Sequence, residues 1–265
     1  MSAVRKVPVG GLEIACCIEG PVDAPVVLLI HGILTDHRAW NGVADRLSKA
    51  YRVVRYDLRG HGTSSAPPAP FTLEQLADDA AGLLDALQID CVHLAGSSLG
   101  GMIGQQVGIR HGQRLLSLTL ANTAAVQPAP GAWDDRAAMA RANGVAALQP
   151  GMLQRWFTPG FAERDPQEIE RIKITMSEVS VEGFAGCANA LRDLSQLALL
   201  AKINVPTLVI AGDEDKATPP EQARQIADAI ADARLVTLHA AHQAAIEQPQ
   251  AFCDAWQTFV DGIRN

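Results

Sequence analysis

A serine, an aspartate and a histidine stand along this chain in the order and contexts that nucleophilic acyl transfer uses. The serine is Ser98, in Gly96-Ser97-Ser98-Leu99-Gly100. This run fits G-x-S-x-G, with the apolar stretch Val92-His93-Leu94-Ala95 before it and a helix-like segment after it. A strand-to-helix turn of this kind is so tight that the residues two before and two after the nucleophile must lack bulk. Gly96 and Gly100 meet that condition. The central residue then sits on a strained corner, its hydroxyl exposed and the positive end of a helix beneath it.

A serine hydroxyl is a poor nucleophile until a base takes its proton. The base is a histidine, oriented by a carboxylate. After such an elbow the acid and then the base follow in chain order, each on a loop after a strand. The apolar run Val205 to Ala211 leads into Gly212-Asp213-Glu214-Asp215-Lys216-Ala217-Thr218-Pro219. The run Arg234 to Leu238 leads into His239-Ala240-Ala241-His242. Asp215 is favoured over Asp213 and Glu214 because it lies deeper in its loop, just before Thr218-Pro219-Pro220 opens a helix. His242 is favoured over His239, which still belongs to the strand end. Asn122, at an alternative place for the acid, cannot carry the charge.

The developing oxyanion needs two backbone N–H groups. Leu99 follows the nucleophile, and Ile33 is assigned from the loop His31-Gly32-Ile33-Leu34 after a buried strand at Val26 to Ile30. His31 and His61 read as loop-fixing residues. Asp57 and Arg59 read as an ion pair that ties down Arg59-Gly60-His61-Gly62. No histidine pair has metal-ligand spacing beside a carboxylate, and Gly60 and Gly62 lack the Lys-Ser/Thr ending of a phosphate loop. No metal and no cofactor is expected.

The elements that must position these residues follow from the apolar pattern. Strands are expected at Leu12 to Glu19, Val26 to Ile30, Tyr51 to Tyr56, Cys91 to Ala95, Leu115 to Ala121, Val205 to Ala211 and Arg234 to Leu238. Helices alternate with them, one opened by the capping box Thr72-Leu73-Glu74-Gln75. From Asn122 to Leu200 the alternation stops and only helix-like pieces remain. The expected architecture is α/β: a mostly parallel sheet flanked by helices, with residues 1–121 and 201–265 as the core and 122–200 as an inserted helical cap.

Composition narrows the partners. The 265 residues are 48% hydrophobic and 19% charged, enough for a large core. The net charge is -7 and no Lys/Arg run stands out, which argues against a nucleic-acid partner. Five cysteines, Cys16, Cys17, Cys91, Cys187 and Cys253, form no C-x-x-C pair and read as free thiols of a reducing compartment. No apolar core follows Met1-Ser2-Ala3-Val4-Arg5-Lys6, and no stretch approaches a membrane span. A cytoplasmic protein without a membrane partner is expected; the oligomeric state is not set by the sequence.

The elbow and its two following loops resemble the α/β-hydrolase superfamily. Val54-Arg55-Tyr56-Asp57-Leu58-Arg59-Gly60-His61-Gly62 and Leu120-Ala121-Asn122-Thr123-Ala124-Ala125 are similar to segments of 3-oxoadipate enol-lactonases. So are Trp133-Asp134-Asp135-Arg136, Arg155-Trp156-Phe157-Thr158-Pro159 and Ala190-Leu191-Arg192-Asp193 in the cap. The resemblance implies hydrolysis of an enol-lactone to 3-oxoadipate, a late step of aromatic breakdown, without a cofactor. The small-molecule substrate would carry a carboxylate. Arg136, Arg155 and Arg192, flanked by Trp133 and Trp156, are the residues to meet it. The chain departs from those lactonases at two places: they carry Ser-Asn-Ser-Leu-Gly where it has Leu29-Ile30-His31-Gly32-Ile33, and Gly-Leu-Ser-Met-Gly where it has Gly96-Ser97-Ser98-Leu99-Gly100. An esterase or lactonase of other specificity shares every catalytic residue. A low-turnover binding protein on this fold is the alternative from another class.

Overall fold

The computed structural model describes residues 3–264. A hairpin comes first: β1 (Arg5–Val9) and β2 (Leu12–Glu19) are joined by Gly10 and Gly11, both at positive φ. Adjacent positive-φ residues make a two-residue hairpin turn, which glycine adopts without a Cβ clash. The sequence reading starts the first strand at Leu12 and passes over β1. That strand is mostly exposed, and only Val7 and Val9 turn inward.

The remaining strands are β3 (Val26–Ile30), β4 (Arg52–Tyr56), β5 (Val92–Ser97), β6 (Leu115–Ala121), β7 (Thr207–Gly212) and β8 (Ala233–Leu238). All join one 8-stranded sheet in the order β1-β2-β4-β3-β5-β6-β7-β8. The first two pairings are antiparallel and every pairing from β4 to β8 is parallel. The chain leaves β3 to one side for β4 and returns to its other side for β5. The crevice at the carboxyl ends of β3 and β5 is therefore the switch point where such sheets take ligands.

Parallel strands must be covered on both faces, and the pleat of β3 divides its residues accordingly. Val27 and Leu29 pack with Val43 and Leu47 of the helix Asn41–Leu47 and with Phe252 and Trp256 of the helix Pro249–Arg264. Leu28 and Ile30 face the other core. There they join Leu76 of the helix Leu73–Ala86, Ile103 of Leu99–His111 and Ile226 of Pro220–Ala229. The capping box is present: Gln75 N–H donates to Thr72 Oγ1 at 3.2 Å, and Thr72 N–H donates to Gln75 Oε1 at 3.1 Å.

Between β6 and β7 the chain makes a helical excursion, with Gly131–Asn143, Gln149–Trp156, Pro166–Glu178 and Val181–Arg192 as its main helices. An antiparallel bridge between Val126 and Ser195 closes its stem. Met152, Trp156, Met176 and Phe184 continue the apolar core of the sheet's face upward. No helix among the described residues is long and apolar enough to cross a membrane. None of the cysteines is in a disulfide, and all but Cys91 are buried.

The loop after β4 corrects one expectation. Asp57 and Arg59 do not pair. Asp57 accepts from His37 Nδ1 at 2.7 Å, and Arg59 reaches Asp79 on the helix Leu73–Ala86 at 2.7 Å. Each is taken by a partner outside the loop.

Candidate active site

The elbow forms where β5 runs into the helix Leu99–His111. Ser98 has φ 56 and ψ -119, a conformation that a residue with a side chain rarely adopts. Its surroundings impose it. Ser98 N–H donates to Ala121 O at 3.0 Å, while Ser98 O accepts from Gly101 N at 2.9 Å and from Thr123 Oγ1 at 2.7 Å. A Cβ on Gly96 would collide with the carbonyl of Gly100, and one on Gly100 with the carbonyl of Ile30. The two glycines thus let β3, β5 and the helix approach closely enough to form the corner.

Ser98, His242 and Asp215 meet in one buried line. Ser98 Oγ lies 2.9 Å from His242 Nε2, and His242 Nδ1 lies 2.9 Å from Asp215 Oδ2. A carboxylate accepts only, so Nδ1 carries the hydrogen and Nε2 is left to accept from the serine hydroxyl. Asp215 also accepts from Ala217 N at 2.8 Å, Thr218 N at 2.9 Å and Thr218 Oγ1 at 2.8 Å. Burial alone would raise its pKa. The neighbouring His242 and these hydrogen bonds outweigh burial and hold the carboxyl below its usual range. Asp213 and His239, the alternatives in the same loops, lie apart at the surface and pair with each other at 3.1 Å.

Two members of this cluster escaped the sequence reading. Asn122, set aside because it lacks a charge, donates Nδ2 to Asp215 Oδ2 at 3.1 Å and to Ala241 O at 3.0 Å. Thr218 supports Asp215 from the other side. The signal for Asn122 was its place at the end of β6; nothing in the sequence marked Thr218 beyond its nearness to Asp215.

The loop after β3 presents its peptide in a fixed direction. Gly32 O accepts from His31 Nδ1 at 2.7 Å and from Thr35 Oγ1 at 2.8 Å. The opposite edge of that peptide, the Ile33 N–H, therefore points away from these donors. It has no acceptor among the described residues, and neither does Leu99 N–H. A Cβ on Gly32 would lie 3.1 Å from Ser98 Cβ, so the loop abuts the serine. Burial lowers the pKa of His31, whose Nε2 accepts from Leu58 N at 3.0 Å. Burial and the neighbouring His31 push His61 down to about 3; its Nε2 accepts from Leu34 N at 3.2 Å. Both imidazoles are neutral struts of the loops.

Ser98 and His242 open into a cavity of about 200 Å³, which Ile33, Trp133, Arg136, Arg155 and Trp156 also line. The Arg136 guanidinium lies 4.6 Å over the Trp133 ring. Burial, then the charge of Arg155, lower its pKa. Arg155 donates to Lys216 O at 2.9 Å. Neither arginine forms an ion pair among the described residues. Arg192 departs from expectation: it is absent from the cavity wall, its guanidinium held by Asp193 at 2.7 Å and Asp134 at 3.1 Å. An adjacent carboxylate in sequence captures it outside the cavity.

The fold also gathers two groups that sequence spacing does not reveal, Asp36-His37-Asp57 and Asp213-Glu214-His239, each with possible ligand atoms within 4.8 Å of one another. Neither contains Ser98, His242 or Asp215. In the first, Asp36 holds Arg38 and Asp57 holds His37, so its carboxylates already have partners.

Residues 25–249 match the family model described as alpha/beta hydrolase fold, and the chain belongs to that family. It is 36% identical over 233 residues to 3-oxoadipate enol-lactonase 2 of Acinetobacter baylyi, spanning 88% of this chain and 87% of that one. The crystal structure of the enol-lactonase from Burkholderia xenovorans LB400 is 38% identical, with a TM-score of 0.95 over 97% of this chain and 100% of that one. A thermophilic esterase from Thermogutta terrifontis, solved with malate bound, is 28% identical with a TM-score of 0.92 over 100% of each chain. The α/β fold class and the resemblance to enol-lactonases carried by the motifs are both borne out.

Proposed function

We propose that this chain is a serine hydrolase of carboxylate-bearing lactones, with 3-oxoadipate enol-lactone as its preferred substrate. The observation that carries the reading is the line Ser98–His242–Asp215 opening on a cavity with two unpaired guanidinium groups. The similarity to named enol-lactonases supports the choice of lactone.

Ser98 Oγ attacks the lactone carbonyl as His242 Nε2 takes its proton. Asp215 holds the ring and stabilises the imidazolium that forms. The N–H groups of Ile33 and Leu99 receive the oxyanion, a contribution on the order of 3 kcal/mol for each donor. The ring C–O bond breaks, and the enolate released takes the proton back from His242 Nε2, which leaves an enol tethered to the acyl chain and a neutral imidazole. An enolate is a good leaving group, so this step needs little acid assistance. Water, deprotonated by His242, then adds to the acyl carbonyl, and Ser98 Oγ leaves with that proton returned from His242 Nε2. Arg136 and Arg155, with Trp133 and Trp156 beside them, seat the substrate carboxylate. In this reading residues 122–200 are the cap over a core of 1–121 and 201–265, and the enzyme works in the cytoplasm.

A second reading is an esterase of other specificity. His31-Gly32-Ile33 and the pair Ser97 and Leu99, where the chain departs from the lactonase pattern, favour it, as does the likeness to the Thermogutta esterase. A steady-state panel separates the two: fresh 3-oxoadipate enol-lactone, p-nitrophenyl esters, dihydrocoumarin and an acyl-homoserine lactone. A kcat/KM for the enol-lactone far above the rest supports the first reading. A flat or ester-favouring profile supports the second, and no turnover of any would leave a binding protein.

A further inference from the structure

The residue before the base is held by side chains on both its peptide groups. Ala241 N–H donates to Glu247 Oε2 at 2.7 Å, and Ala241 O accepts from Asn122 Nδ2 at 3.0 Å. The residue after the base, Gln243, donates its N–H to Trp156 O at 3.0 Å. Glu247 does more than hold this loop. Its other oxygen, Oε1, accepts from Thr158 N at 2.9 Å and from Thr158 Oγ1 at 2.6 Å. Thr158 lies two residues beyond the end of the helix Gln149–Trp156, which brings Arg155 and Trp156 to the cavity wall.

We infer that Glu247 is a positioning residue for His242, a buried carboxylate strut that fixes the base loop to the cap at Thr158. This rests on the reading of Ser98 and His242 as nucleophile and base. Three donors converge on two oxygens here, two of them backbone N–H groups that cannot turn away. An ionised carboxylate accepts at both oxygens, whereas an amide would aim its NH₂ at one of those donors. Glu247 is only 8% exposed, so a donor left facing a donor finds no water to relieve it. The strut sets the spacing between the base and the wall that seats the substrate, and proton transfer is sensitive to displacement at that scale.

The test uses Glu247→Gln, which keeps the shape, and Thr158→Val, which puts a methyl group in place of the hydroxyl. Thr158→Ser, which restores it, is the rescue. Each is measured per active site titrated with a fluorophosphonate, with p-nitrophenyl acetate and the enol-lactone as substrates. Glu247→Gln is expected to lower kcat on the order of 10²-fold, the scale for a displacement of about 1 Å. KM stays within about twofold, because no group that lines the cavity is removed. The phosphonate inactivation rate, which needs no correct guess of substrate, falls in parallel. Thr158→Val loses about tenfold, the equivalent of one hydrogen bond to a charged group. Thr158→Ser recovers it. A Glu247→Gln and a Thr158→Val protein whose per-site rates match wild type, whatever happens to Tm, would overturn the inference. If Ser98→Ala is inert in that same experiment, only the inference on Glu247 falls; if Ser98→Ala reacts like wild type, the reading beneath it falls as well.

Discussion

Asn122 and Asp215, 93 positions apart, meet at 3.1 Å at the ends of neighbouring strands, β6 and β7. The amide is a donor where a carboxylate would have been a rival charge. It helps to hold the carboxylate in place beside His242. Replacing Asn122 by Leu leaves Asp215 one hydrogen bond short, a loss of about 1.5–3 kcal/mol for a bond to a charged group. The expected outcome is a fall in kcat of roughly tenfold or more with KM little changed. Equal kcat in wild type and Asn122→Leu would show that Ala217 and Thr218 suffice to hold the acid.

The pair His37 and Asp57 makes stability depend on pH. Burial opposes the charged imidazole. The hydrogen bonds to Asp57 and Cys17 and the charges of Asp57 and Asp36 outweigh it and push His37 up to about 10 from 6.5. A raised histidine contributes its full stabilisation below its ordinary value and loses it as pH rises through the folded one. Asp57, lowered against its own burial by the hydrogen bond and charge of His37, contributes above the usual carboxylate range. His37→Gln should therefore depress Tm more at pH near 6 than at pH near 10. A Tm difference that stays constant across that range would mean that the pair is held as a neutral hydrogen bond.

Arg136 and Arg155 should separate by kinetic signature. Arg136 makes no hydrogen bond among the described residues and stacks on Trp133, so in the proposed role its loss removes substrate binding alone. Arg136→Met is expected to raise KM for the enol-lactone by about ten- to a hundredfold and to spare a neutral ester. Arg155 also bonds Lys216 O, next to Asp215, so Arg155→Met should lower kcat as well. Unchanged KM for the acidic lactone in both variants would remove these residues from carboxylate recognition.

The contact of Gly60 with Gly183 joins the loop after β4 to the helix Val181–Arg192 backbone to backbone. A Cβ on Gly183 would run into Gly60 Cα, and neither main chain can turn aside. Gly183→Ala should cost on the order of 3 kcal/mol, the upper end for overpacking. A thermal melt reads it directly, and an unchanged Tm would mean that the two backbones stand further apart in solution.

What the sequence made legible were local patterns: the alternation of apolar runs with helices, the capping box at Thr72, and the elbow with its small flanking residues. Asp215 and His242 were readable because chain order and loop depth single them out. The hidden parts depend on contacts between distant positions. Asn122 reaches Asp215 only once β6 and β7 pair, and Glu247 meets Thr158 only once the cap folds back, 89 positions away. Arg59 was misread for the same reason: its partner Asp79 lies on a helix 20 positions on, not beside it in the loop. Arg192 failed differently. The sequence shows Asp193 next to it, but not that this neighbour would take the guanidinium.

The central claim is that Ser98 is the nucleophile, and hydrolysis of 3-oxoadipate enol-lactone by wild type beside Ser98→Ala tests it most directly. Quenched reactions of the two proteins would be examined by intact mass. Ring opening keeps both halves of the substrate together, so wild type should carry an adduct of the whole lactone's mass at Ser98. Ser98→Ala should show neither adduct nor more than about a thousandth of the wild-type rate. Turnover by Ser98→Ala at the wild-type rate would contradict the account.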